Sequence, residues 1–288
     1  MIDKIKIFTE ITKLKITIFV TVTTVFGYIA YSGDVSAEML LPAIGLLFLA
    51  CGSAALNHYQ ERNTDQLMER TKTRPIPSGK IDAATVLYFS FLLVIIGSFM
   101  LFYGGGIIAL LLGILNLIWY NLIYTPLKRK TPFAIIPGSL VGAIPPVVGW
   151  TAAGGNISDP QILLIAFFFF IWQIPHFWLL LMLLDKDYQK AGFPTLTQIF
   201  NQNQLGRITF VWIIATAVTG LLLPLFQISH NGFINLSLLI AAIWLSYSSI
   251  NLTRKTIEST SFKFAFRSIN YFALFVVLMV SIDKLFVS

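Results

Sequence analysis

Asn57, Glu61 and Asp65 stand four residues apart, so in a helix their oxygen-bearing side chains share one face. Hard divalent cations such as Mg²⁺ take oxygen ligands, and Mg²⁺ characteristically uses one or two carboxylates together with substrate phosphate oxygens. Arg70 and Arg74 repeat the four-residue step, and guanidinium groups offer bidentate contacts to phosphate. Carboxylates for a metal, then guanidiniums for phosphate, make a diphosphate site. Pro75 and Pro77 end that helix and fix its exit. A second acidic pair, Asp185 and Asp187, lies far along the chain. Two positions correspond to about 200° around a helix, so the pair would not share one ion equally if that segment is helical. The plainer alternative is that both clusters only balance neighbouring Lys and Arg.

The elements that must carry these residues are apolar helices. Of 288 residues 56% are apolar and 11% charged, against about a quarter charged in soluble domains. Runs near the ~20 residues that cross a bilayer predict about nine spans, at 14–31, 39–56, 84–103, 107–124, 133–152, 162–184, 208–227, 234–252 and 266–286. The expected fold is an all-α polytopic transmembrane bundle, with residues 1–288 forming one integral-membrane domain. The first run lacks a small-residue cleavage site and reads as a retained span. Cys51 is the single cysteine, which leaves no disulfide framework or cysteine metal site.

Charge sets the expected orientation. With nine spans, every Lys and Arg except Lys284 falls on one side, and basic short loops stay in the cytoplasm. The amino terminus and both acidic clusters are therefore expected at the cytoplasmic face of a bacterial inner membrane. The net charge of +7 then reflects topology and contact with anionic lipid, with no reason to invoke nucleic acid. Gly and Pro residues of the fifth span, from Pro137 to Gly149, predict a kinked or broken helix.

The motif Asn57-x-x-x-Glu61-Arg62-x-x-Asp65-x-x-Met68-x-Arg70-Thr71-x-x-Arg74-Pro75 closely resembles the first signature of the intramembrane (UbiA-type) prenyltransferases. Two later stretches agree: Tyr124-Thr125-x-x-Lys128-Arg129 with Gly142 to Trp150, and Trp172-Gln173-x-Pro175-His176-Phe177-Trp178 with Lys186-Asp187-Tyr188. The His176 stretch resembles the heme-farnesylating branch, and Asp187 matches that branch's pattern better than Asp185. Departures are Gln189 in place of a second-motif acid, and Ala134 and Pro137 in residues 134–138.

The resemblance implies farnesyl transfer from farnesyl diphosphate to heme b, giving heme O, which a downstream heme A synthase or terminal oxidase would receive. It implies Mg²⁺ on Asn57, Glu61, Asp65 and Asp187, with Asp185 a further candidate. Arg62, Arg70, Arg74 and Lys128 would hold the diphosphate. Tyr124 and Tyr188 could face positive charge with their rings, or simply anchor the interface. His176, inside the sixth span, is a candidate heme ligand, or a neutral His bonded to a carbonyl freed by Pro175. His58 is a weaker heme candidate and His230 an outer-loop residue. A quinone-precursor prenyltransferase and a non-catalytic transporter or heme-handling factor are the alternatives.

Overall fold

The computed structural model describes residues 2–254, 257 and 259–286, without the side chains of 2–4 and 259. The Lys4 side chain and the whole of Lys255, both counted in the basic pattern, lie outside the described residues. The described residues form helices and turns with no strand: α1 (Ile2–Ile11), α2 (Leu14–Ser32), α3 (Leu40–Asp65) and α4 (Ala83–Ile118) come first. A π-helical segment, Trp119–Tyr124, carries α4 into the short α5 (Thr125–Leu127). Then follow α6 (Ile135–Gly138), α7 (Leu140–Ala152), α8 (Pro160–Lys190), α9 (Gln202–Leu222), α10 (Gly232–Ser248) and α11 (Ser259–Phe286).

Eight helical stretches are long and apolar enough to cross a membrane. The third, Ala83–Leu127, has 45 residues, roughly 67 Å at 1.5 Å per residue, twice what a ~30 Å hydrocarbon core requires. It is two spans. At Gly106 the backbone takes φ 75°, ψ −175°, a conformation essentially reserved for glycine, and the chain doubles back. Leu101 Cδ1 consequently lies 2.6 Å from where a Cβ on Gly113 would stand. In a straight helix those positions would be about 18 Å apart. The expected loop at 104–106 and the expected count of about nine spans both follow from that hairpin.

Internal contacts show which segments share an end of the bundle. Gly33 faces the Lys284 carbonyl, and the backbone N–H groups of His230 and Asn231 donate to Asp283 at 2.9 and 3.1 Å. At the opposite end, Asp187 accepts from the backbone N–H groups of Glu69 and Arg70 at 3.2 and 3.0 Å. Arg129 donates to the Gln60 carbonyl at 3.0 Å. The two acidic segments thus meet, as an even number of intervening spans requires.

Helices 2 and 7 touch backbone to backbone. A Cβ on Gly149 would fall 1.8 Å from the Thr24 carbonyl oxygen, and one on Gly27 1.9 Å from that of Pro146. Small residues permit this approach where apolar burial between helices gains little over lipid. The fifth span breaks where Gly and Pro predict, between α6 and α7, and the Pro137 carbonyl freed there accepts from Trp119 Nε1 at 2.7 Å. Of the run Phe167–Phe170, Phe168 and Phe169 are buried in the main core while Phe167 faces outward.

Candidate active site

Helix α3 carries the chemistry. From Leu46 to Asp65 its inward face passes from apolar (Leu46, Leu49, Ala50) to polar (Ser53, Asn57, Glu61, Asp65), and all of these line a cavity of about 280 Å³. The polar end is the end where the basic segments gather. Asn57, Glu61 and Asp65 are nearly sealed from solvent, at 1%, 4% and 0% exposure, a burial that is costly for carboxylates unless each is paired.

Each one is. Arg74 Nη1 straddles Asp65, 2.9 and 2.8 Å from its two oxygens. Lys128 Nζ lies 2.6 Å from Glu61. Lys13 Nζ donates to Asn57 Oδ1 at 2.7 Å. Burial works against the Lys128 ammonium, but the Glu61 carboxylate outweighs it and holds Lys128 protonated above the usual lysine range. Lys13 faces a different balance. Burial, reinforced by the like charge of Arg74, pushes its pKa down to about 7. Arg70 lines the same cavity, so four cations surround two carboxylates and the region is set up for an anion more highly charged than either.

The π-helical segment positions the opposite wall. Widening the helix by one residue per turn brings Asn121, fully buried, against α3, where it bonds Ser53 and Gln60 in both directions. Thr125 accepts from Asn57 Nδ2 at 3.2 Å. Tyr120 and Tyr124 stack at 5.8 Å and line the cavity with Tyr188 and Phe193. Lys128 sits over the Tyr124 and Phe193 rings at 5.7 and 5.9 Å.

The structure therefore gathers Asn57, Glu61, Asp65, Arg70, Arg74, Lys128, Tyr124 and Tyr188 around one cavity. Four other candidates stand elsewhere. Arg62 turns back to the Tyr59 carbonyl (2.7 Å) and lies over the Tyr59 ring. Asp187 spends both oxygens on the Glu69 and Arg70 backbone. Asp185 accepts from Thr197 and Gln189 at 2.5 and 2.8 Å, tying down the segment after α8. His176 pairs with Asn270 at 2.7 Å, between α8 and α11. Asp185 and Asp187 are both on helix α8, so their angular separation is the one the sequence predicts. His58 is buried with both ring nitrogens unbonded, and His230 lies at the far end beside Asp283.

The match to the family model described as the UbiA prenyltransferase family spans residues 19–270, nearly the whole bundle. The chain belongs to the UbiA prenyltransferase family. Among its relatives, a protoheme IX farnesyltransferase of Oleidesulfovibrio alaskensis is 30% identical over 276 residues, covering 96% of this chain and 95% of that one. One from Geobacter sulfurreducens is 40% identical over 207 residues, covering 71% and 76%. Among solved structures, a digeranylgeranylglyceryl phosphate synthase superposes with TM-score 0.81 at 16% identity, covering 98% and 99%. A UbiA homolog from Archaeoglobus fulgidus bound to GPP and Mg²⁺ does so with TM-score 0.70 at 12% identity, covering 97% and 99%.

Residues of this prenyltransferase that the sequence alone did not single out include Lys13, Tyr120, Asn121, Asn116 and Gln173. Lys13 has a left-handed backbone, φ 49°, which aims its ammonium across to α3. A lone lysine against the start of an apolar run was the only sequence signal it offered. The others sit in spans whose apolar neighbours mask them, and Asn116 and Gln173 line the apolar half of the cavity.

Proposed function

We propose that this prenyltransferase moves a farnesyl group from farnesyl diphosphate to a vinyl group of heme b, giving heme O and releasing diphosphate. The observation that carries this reading is one cavity with a cation-ringed carboxylate face at one end and an apolar interior at the other. The acceptor is inferred from relatives named protoheme IX farnesyltransferase, 30% and 40% identical over most of their lengths.

Asn57, Glu61 and Asp65 offer hard oxygen donors on one buried helix face, a donor set that suits Mg²⁺. Bound there, the ion would supply positive charge against the leaving diphosphate. Arg70, Arg74, Lys128 and Lys13 bind the phosphate oxygens, Arg74 and Lys128 sharing themselves between carboxylate and substrate. Tyr124 and Tyr188 present ring faces to the allylic cation formed as the diphosphate departs. The walls around Val20, Leu46 and Leu49 keep bulk water from that cation. The gathered Lys and Arg residues place the mouth at the cytoplasmic face of a bacterial inner membrane. Arg62 and Asp185 carry no role in this reading.

Asp187 acts here as a clamp that shapes the segment carrying Arg70. Hydrogen bonds to an ionised acceptor contribute about 1.5–3 kcal/mol each. Asp187→Ala is therefore expected to raise KM for farnesyl diphosphate by about tenfold while leaving the Mg²⁺ activation midpoint in place. A shifted midpoint would put the carboxylate on the metal instead.

The test of the reaction is purified protein in proteoliposomes with labelled farnesyl diphosphate, offered heme b or an aromatic carboxylic acid. Mass spectrometry of the extracted heme should show the farnesylated product. Label entering the aromatic acid in preference would overturn the heme assignment.

A further inference from the structure

Asn270, on α11, has its orientation fixed by its neighbours. Its Nδ2 donates to the Phe266 carbonyl at 2.6 Å. A carbonyl only accepts, so the atom there is the amide nitrogen and the atom 2.7 Å from His176 Nδ1 is the amide oxygen. That oxygen also only accepts. Nδ1 of His176 therefore carries the proton, and Nε2 keeps a free lone pair. No hydrogen bond among the described residues reaches Nε2.

The ring is clamped as well as oriented. Trp172 and Phe266 lie 4.8 and 5.0 Å from its centroid, tilted by 36° and 35°. Trp172 is itself fixed by its Nε1 bond to the Ile269 carbonyl at 3.2 Å. A neutral imidazole with one nitrogen held by an acceptor and the other open is the arrangement that ligates metals. A bare ion would need further protein ligands, and the described residues hold no group of three His, Cys, Asp or Glu that could supply them. An iron porphyrin brings four nitrogens of its own, so one imidazole suffices.

We propose that His176, oriented by Asn270 and clamped by Trp172 and Phe266, is the axial ligand to the iron of a heme docked against α8 and α11. Gln173 and Phe177, one turn apart on α8, line the cavity, and His176 lies beside both in the helix. A porphyrin held here adjoins the cavity along α8. Asn270 is then a positioning residue on a helix that contributes nothing to the diphosphate end. The proposal rests on the heme reading above and specifies how the acceptor is held.

The experiment titrates ferric heme b into the full-length protein in lipid nanodiscs, read by absorption and electron paramagnetic resonance. Wild type should give the signature of imidazole-ligated heme. His176→Gly should lose it, and free imidazole should restore it by entering the slot between Trp172 and Phe266. Asn270→Leu should weaken heme affinity 10- to 100-fold while farnesyl diphosphate binding, measured on the same preparation as a check of folding, stays unchanged. The proposal is overturned if His176→Gly binds heme with the wild-type spectrum, or if Asn270→Leu leaves affinity within about threefold. Ligation is read without turnover. Heme-dependent diphosphate release without the ligation signature refutes this site alone, whereas ligation without any farnesyl transfer refutes the reaction.

Discussion

Asp65→Asn is expected to slow diphosphate release by ~10³-fold or more, at saturating farnesyl diphosphate and Mg²⁺. Asp65 is fully buried and meets Arg74 through both oxygens. The amide keeps the volume and one acceptor, so the bundle should still assemble. What disappears is a negative charge on the face that would hold the ion, and with it the register of Arg74 toward phosphate. Removing one preorganised electrostatic partner from a water-poor site costs about 10²–10³ in rate, and here ion and guanidinium are both disturbed. The check is labelled diphosphate released by purified variant and wild type at equal protein. A rate within tenfold of wild type would mean that the carboxylate face of α3 does not carry the reaction.

The second large effect concerns stability as well as rate. Lys128→Met removes the ammonium 2.6 Å from Glu61 and leaves a carboxylate that is only 4% exposed. Breaking a buried pair from one side costs about 3–5 kcal/mol, whereas replacing both partners with neutral groups is often tolerated. Lys128→Met alone should therefore melt well below wild type, and adding Glu61→Gln should restore much of the loss. Activity should not return in the double variant, because the phosphate-binding cation and a metal-face oxygen are both gone. A thermal-unfolding cycle over the four proteins measures the coupling, expected at about 2 kcal/mol or more. Additive single changes would show that the pair is not linked in the folded protein.

Legibility in the sequence varied with how local the signal was. The repeat Asn57, Glu61, Asp65 and the Arg70–Arg74 step were readable because helical periodicity alone puts them together. The spans were readable from apolar length, and Gly104–Gly106 marked the hairpin. Lys13 was not, since its reach to Asn57 depends on a left-handed turn that no neighbouring residue announces. Nor was the division of labour among the acidic residues of α8: periodicity separates Asp185 from Asp187 but says nothing of Thr197 or the Glu69 and Arg70 backbone. His176 stood out as an ionisable group inside a span. Its partner Asn270 lies 94 positions away on the last helix, and only tertiary packing joins them.

The wide turn at Trp119–Tyr124 has a bearing on how such a protein tolerates insertions and deletions. One position is the whole difference between that loose coil and an ordinary one. Excising it would rewind the segment and swing everything that follows by about 100°. The clasp between Asn121 and α3 would open, and the ammonium at 128 would leave its carboxylate. A frame-preserving loss of a single codon there would act at a distance, disarming the phosphate-gripping end of a cavity whose own side chains were all still encoded.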